Sequence, residues 1–245
     1  MAGTANKGIS ERIRGLVAAV LGFFRRTHDI DVHAADAGLS GLTRKERLRV
    51  LRGFNDVLEA KDAGTMGHSR RVELHAVRMG TQMGLNASAL EDLRLAAVLH
   101  DIGKVGLPDH ILNKPSELTA SEFARVREHA GVGAAMLADL GSYEVIDGVR
   151  HHHERWDGTG YPAQLAGDEI PLFARIIAVA DTYDAVTSAR PYRSQAGRDV
   201  GVKILMEESG RQLDPDCVHA FLMTLPPRVV VTTGDDTFSI TVGSR

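Results

Sequence analysis

Three consecutive histidines, His151-His152-His153, run directly into Glu154-Arg155-Trp156-Asp157-Gly158-Thr159-Gly160-Tyr161-Pro162. Imidazoles beside a glycine-rich turn are poor material for an apolar core, so a chain carrying them must supply polar partners or a solvated surface. Imidazole is a good ligand for zinc, iron, copper and nickel, and clustered histidines therefore point to a metal. Such tracts also occur on solvated surfaces and in affinity tags. A tag sits at a terminus, and this run is internal.

The rest of the chain reads as helices. Ile9 to Phe24 has helical spacing, and Asp29 to Leu42 lacks periodicity and reads as a linker. Thr43 starts a helix with Leu48, Leu51, Phe54 and Leu58 on one face. After a Lys61-Asp62-Ala63-Gly64 break, another carries His68, Val72, His75 and Met79. Ser88 and Glu91 are spaced as a capping box before Leu93, Leu95, Val98 and Leu99, in a helix that runs to His100-Asp101 and that Gly103 is placed to end. Thr119 and Glu122 form a second such box, opening the helix that leads to His129. Helices are expected from about Glu144 to His152-His153, from Phe173 to Ser188, from Ala196 to Ser209 and from Asp214 to Leu225. Two short runs around Gly234-Asp235-Asp236 suit a β-hairpin. The expected fold is mainly α, a helical bundle with a short C-terminal β-hairpin: residues 1–42 form an amphipathic helix and linker, 43–225 the main domain and 226–245 the tail.

Composition narrows the classes. At 245 residues the chain can bury a sizeable core without disulfide staples. A formal charge of -3 leaves no basic footprint for duplex nucleic acid. Cys217 is the only cysteine, which excludes an intrachain disulfide and a thiolate cluster and fits a reducing compartment. No apolar run approaches the roughly 20 residues of a spanning helix. Leu16 to Phe24 is flanked by Arg12, Arg14, Arg25 and Arg26, the pattern of an amphipathic helix rather than a secretory signal. A cytoplasmic protein is expected.

Two further pieces carry chemistry. Leu93, Leu95, Val98 and Leu99 bring His100-Asp101 out of an apolar helix, and Asp181 follows Ile176-Ile177-Ala178-Val179-Ala180. A charge on such a helix survives when paired or bound to metal, and a salt bridge or a polar helix face accounts for Asp181 equally well.

Taken in order, His68-Ser69, His100-Asp101, Lys114-Pro115-Ser116-Glu117-Leu118-Thr119, His129, His152-His153-Glu154, Gly160-Tyr161-Pro162 and Arg190-Pro191-Tyr192-Arg193 resemble the HD-GYP family of metal-dependent phosphohydrolases, from about Asn55 to Phe221. The resemblance implies an HD-domain helical bundle with two divalent metal ions, iron or manganese first and zinc or cobalt next. It assigns His68, His100, Asp101 and Asp181 to one ion; Asp101 bridges to the second, bound also by His129, His152 and His153. A hydroxide held between the ions would attack phosphorus in line. Asp101 and Lys104 are thereby the catalytic candidates, and Lys104, Tyr161, Asp184, Arg190 and Arg193 the substrate contacts. His75 and His151 match no ligand position.

The implied reaction is hydrolysis of cyclic-di-GMP to linear pGpG. The alternatives are another cyclic dinucleotide such as 3',3'-cyclic GMP-AMP, or a sensor or adaptor with little turnover. The implied partner is the cyclic dinucleotide, and the N-terminal helix is a candidate for self-association or a regulatory contact. One position departs from the pattern. Some members of the family carry a Glu four residues before the first histidine, supporting a third metal and the second cleavage; here that residue is Gly64.

Overall fold

The structure, a computed structural model, describes residues 43–61, 67–138, 142–188, 197–226, 228–234 and 237–243. The N-terminal amphipathic segment, Gly64 and the Arg190–Arg193 segment lie outside the described residues.

The described chain is mainly helical. In order come α1 (Arg44–Lys61), α2 (His68–Gln82), α3 (Ala87–Leu99), a 3-10 turn (Ile102–Gly106), the short α4 (Asp109–Leu112), α5 (Ala120–Arg127), α6 (His129–Met136), α7 (Tyr143–His151), a second 3-10 turn (Gly167–Glu169), α8 (Leu172–Thr187), α9 (Arg198–Glu208) and α10 (Pro215–Thr224). Arg228–Gly234 pairs antiparallel with Thr237–Gly243. The mainly α assignment rests on the helices, and the expected hairpin tail has no independent support.

The helix starts follow local chemistry. Thr119 Oγ1 accepts from the Glu122 amide while Glu122 Oε2 accepts from the Thr119 amide, the reciprocal box expected there. At α3 the expectation of a Ser88–Glu91 box is corrected: Asn86 Oδ1 accepts from the Ala89 amide, so the helix opens at Ala87. Asn86 caps as well as serine and stands first in the chain with extended φ and ψ. Ser142 and Asp214 cap α7 and α10 in the same way.

Helix α8 lies at the centre, packed against α2, α7, α9 and α10. Ile176, Ile177, Val179 and Ala180 are fully buried among Met79, Leu93, Leu99, Val145, Val149, Leu205 and Phe221. Burying each such Leu or Ile contributes about 1.5–3 kcal/mol, so α8 anchors Asp181 and Asp184, which it carries. His75, half-buried, packs edge-on to Tyr183 and beside Phe221. Among the described residues no helix is long and apolar enough to cross a membrane.

Gly103 has a different role from the helix stop expected of it. Helix α3 ends at Leu99 and the chain continues into a 3-10 turn through Gly103. A Cβ at Gly103 would lie 2.0 Å from the His129 carbonyl oxygen and 2.6 Å from the Gly133 amide nitrogen. The missing side chain lets the turn after Asp101 rest on the backbone of α6.

Candidate metal centre

Each histidine is delivered by a helix end, and in three cases the same device orients it. The last carbonyls of a helix have no intrahelical partner. His100 Nδ1 donates to the Ala97 carbonyl at 2.8 Å, His129 Nδ1 to Val126 at 2.6 Å and His152 Nδ1 to Val149 at 2.6 Å. A carbonyl can only accept, so each Nδ1 carries the proton and a neutral ring leaves its Nε2 bare. These rings therefore present the same atom, Nε2, outward, each held at Nδ1 in the manner of a metal-ligating histidine.

His68 is held by a carboxylate instead. Asp184 Oδ2 accepts from His68 Nδ1 at 2.7 Å, while Arg71 and Ser188 take up the rest of that carboxylate. The start of α2 is fixed from α1: Glu59 accepts from the amides of Gly67 and Ser69, each at 2.8 Å. The charge also suits the positive end of a helix that has no side-chain cap of its own.

The free ring atoms converge. His68, His100 and Asp181 form one group and Asp101, His129, His152 and His153 another, with one potential ligand atom from each member lying within 4.8 Å of the others in its group. Asp101 sits between them. Its Oδ1 is 3.2 Å from His129 Nε2 and 3.8 Å from His152 Nε2, and its Oδ2 is 3.5 Å from His100 Nε2 and bonded to Lys104 Nζ. Asp181 Oδ1 is 3.4 Å from His68 Nε2.

The electrostatics call for a cation. His129 Nε2 and His152 Nε2 are 3.4 Å apart, and with each Nδ1–H donating to a carbonyl the two Nε2 atoms are the ones left facing each other. His100 Nε2 and Asp101 Oδ1 are buried with no hydrogen-bond partner. Buried polar atoms left this way are costly unless something binds them. Burial, followed by the neighbouring rings, holds His152 neutral well below the usual imidazole range, and burial pushes His153 down to about 3. Burial also lowers His100. Burial opposes protonation of His68 too, but its bond to Asp184 and the charges of Asp181 and Asp101 outweigh it and raise the group. Imidazole nitrogens and carboxylates gathered around unbonded atoms are the donor set of a divalent transition metal.

Beside the clusters lies a cavity of about 320 Å³, lined by Phe123, Arg127, His152, His153, Tyr161 and Asp181 among others. Tyr161 stacks on His153 with ring centroids 4.8 Å apart. Its loop is shaped by Gly160, where a Cβ would meet the Arg155 amide nitrogen at 2.4 Å, and by Glu154, whose Oε1 accepts from the Ala163 amide at 2.6 Å. Burial raises the Tyr161 phenol and keeps it protonated.

The structure thus brings the seven expected ligand residues together, with Lys104 and Tyr161 beside them. Asp184 is corrected. Expected as a substrate contact, it is 3 % exposed and its oxygens are engaged by His68, Arg71 and Ser188, so it positions His68. Arg190 and Arg193 lie outside the described residues. Glu59, Phe123 and Arg127 were missed: each sits on an ordinary amphipathic helix, where spacing alone gives no reason to single it out.

Residues 52–217 match the HD domain family model, and the chain belongs to the HD-domain family. Similar curated proteins are a cyclic di-GMP phosphodiesterase response regulator of Xanthomonas campestris pv. campestris, a cyclic di-GMP phosphodiesterase of Thermotoga maritima and a 3'3'-cGAMP-specific phosphodiesterase of Vibrio cholerae. The first is 37% identical over 76% of this chain and 50% of its own length. The second is 39% identical over 71% and 48%, and the third 37% over 72% and 38%. The chain spans about half or less of the length of these relatives. An HDG"Y"P protein from Bdellovibrio bacteriovorus superposes with a TM-score of 0.56 at 15% identity, over 86% of this chain and 76% of that one. A cyclic GMP-AMP specific phosphodiesterase of V. cholerae gives 0.54 at 22%, over 71% and 48%. At such identities the two structures bear on the fold, which is that of an HD domain.

Proposed function

We propose that the chain is a metal-dependent phosphodiesterase that hydrolyses cyclic-di-GMP to linear pGpG. One observation carries this reading: two His/Asp clusters meet at Asp101, with buried unbonded atoms turned inward beside an open cavity. His68, His100, Asp101 and Asp181 would hold one divalent ion, and Asp101, His129, His152 and His153 a second, with iron or manganese favoured over zinc or cobalt. Ions bound there would polarise a phosphoryl oxygen and lower the pKa of a water.

The chain's own groups supply the rest. Asp101 is shared between the clusters, which fixes their separation. Lys104, held by Asp101 Oδ2, places an ammonium at the edge of the clusters to neutralise a phosphate oxygen. The protonated Tyr161 hydroxyl can donate to a second oxygen. Asp184 fixes the His68 ring through Nδ1. Arg190 and Arg193, assigned to the substrate by the family resemblance, would clamp phosphate or guanine. Gly64 has no side chain to hold a further ion, which favours arrest at pGpG. Relatives named as cyclic di-GMP phosphodiesterases support the substrate, and a cytoplasmic location, supported by the single buried thiol of Cys217, completes the reading.

A second substrate, 3',3'-cyclic GMP-AMP, is favoured by the relative specific for it. The two are separated by incubating metal-replete protein, purified under low oxygen, with each dinucleotide and resolving products over time. Accumulation of pGpG, lost on chelation, supports the reading. Faster turnover of cyclic GMP-AMP moves the substrate, and tight binding without turnover under any restored metal leaves a sensor.

A further inference from the structure

We propose that Phe123 and Arg127 form a guanine-reading wall of the cavity, an inference that rests on the cyclic-dinucleotide reading above. Both residues belong to α5, four positions apart and so on one face of the helix. Both line the cavity that begins at His152 and His153. Arg127 Cζ lies 4.6 Å from the Tyr161 ring centroid and 6.0 Å from that of Phe123. The guanidinium therefore neighbours two aromatic rings, and Tyr161 is itself stacked on His153. A continuous ladder runs from the clusters to the rim: His153, Tyr161, Arg127, Phe123.

The chemistry of this ladder is selective. Among the described residues no carboxylate or carbonyl accepts a hydrogen bond from Arg127, and its cation lies over the Tyr161 ring. A guanidinium with its faces near rings keeps its edge N–H groups for in-plane bonding. Guanine offers two adjacent acceptors, O6 and N7, which such an edge matches in bidentate fashion; adenine offers N7 beside an amino donor and does not. Phe123 is 48 % exposed, a large apolar ring turned to solvent at the cavity mouth, and supplies a stacking face for a base. Phosphate is the business of the clusters and Lys104, deeper in. Arg127 and Phe123 stand at the rim, where a base of a dinucleotide held by its phosphate would project.

The test compares cyclic-di-GMP with cyclic-di-AMP on wild type, Arg127→Ala, Arg127→Lys and Phe123→Ala, using KM where the protein turns over and calorimetric Kd where it does not. The Arg127→Ala change is expected to weaken cyclic-di-GMP by roughly tenfold to a hundredfold, the size of one bidentate base contact, and to erase the preference over cyclic-di-AMP. Arg127→Lys keeps the charge over Tyr161 but not the planar two-donor edge, and should lose much of the cyclic-di-GMP affinity and of the guanine preference while leaving cyclic-di-AMP nearly unchanged. The Phe123→Ala variant should weaken both ligands alike. All three sit on an exposed helix face, and unchanged melting confirms folding. Variants with wild-type KM or Kd and wild-type preference overturn the wall while leaving the phosphodiesterase reading intact. Wild-type protein that binds neither dinucleotide overturns both.

Discussion

Gly103→Ala is the substitution whose consequence the packing defines most sharply. The added Cβ would sit 2.0 Å from the His129 carbonyl oxygen, 2.6 Å from the Gly133 nitrogen and 2.9 Å from the His129 carbonyl carbon, all of them backbone atoms that no rotamer can move. The 3-10 turn and α6 must separate. Overpacking a filled site costs about 1–3 kcal/mol, and backbone against backbone belongs at the upper end. For a domain of this size a loss of about 3 kcal/mol lowers Tm by roughly 6–12 °C. The separation also strikes the site, because the turn carries Lys104 and follows Asp101 while α6 opens with His129, whose Nε2 is 3.2 Å from Asp101. Gly131→Ala, in the same helix with nothing within 4 Å of its Cβ, is the control and should be neutral or stabilising by about 0.5–1 kcal/mol. The assay is thermal unfolding of metal-free protein, followed by metal titration. Gly103→Ala that melts with wild type and binds metal equally well would refute the close approach.

Other outcomes follow from the same geometry. Asp184→Asn should weaken metal binding by roughly 10–100-fold while the far-UV circular dichroism stays helical, since it loosens the partner that orients His68; a titration with Mn checks it. Glu59→Ala removes the acceptor of the Gly67 and Ser69 amides, and should lower metal affinity at the His68 cluster and the helix stability together, read by the same titration and by melting. Asp101→Ala should abolish turnover in a protein that remains helical, and wild-type rates would exclude its shared role. Glu122, bonded by Lys114 and by the Thr119 amide and hydroxyl, is held down at about 2. Its folded value is depressed, so its contribution is complete above the ordinary carboxyl value of 4.5 and disappears as pH falls to about 2. The stability gap between wild type and Glu122→Gln should therefore close across that window in acid unfolding.

Helix positions were legible because burial and period agree in α2, α3 and α8, and the Thr119–Glu122 box announced α5 by its own hydrogen bonds. The two His/Asp clusters were legible as a family pattern of residue types in fixed order. Tautomers were not: the donation of Nδ1 from His100, His129 and His152 to carbonyls three residues back depends on each histidine lying just at or past a helix end, which spacing places only to within a residue or two. The Ser88–Glu91 box was misplaced because Asn86, two residues earlier, accepts from the Ala89 amide and opens the helix first. Gly103 reads in sequence as a helix stop, whereas its cause is a contact with α6, a partner distant along the chain. Asp181 and Asp184, three residues apart on α8, look equivalent in sequence; only packing sends one to His68 Nε2 and the other to His68 Nδ1. Arg127 acquires meaning only once Tyr161 is folded beneath it.

The central claim is that the two clusters joined at Asp101 hold the ions that drive hydrolysis. Metal content and the initial rate of cyclic-di-GMP hydrolysis should be measured on one sample, purified under low oxygen, before chelation, after it, and after addition of Fe or Mn. The account predicts two ions per chain, a rate that falls to background as they are removed, and recovery as both sites refill. Undiminished hydrolysis by fully metal-free protein would contradict it.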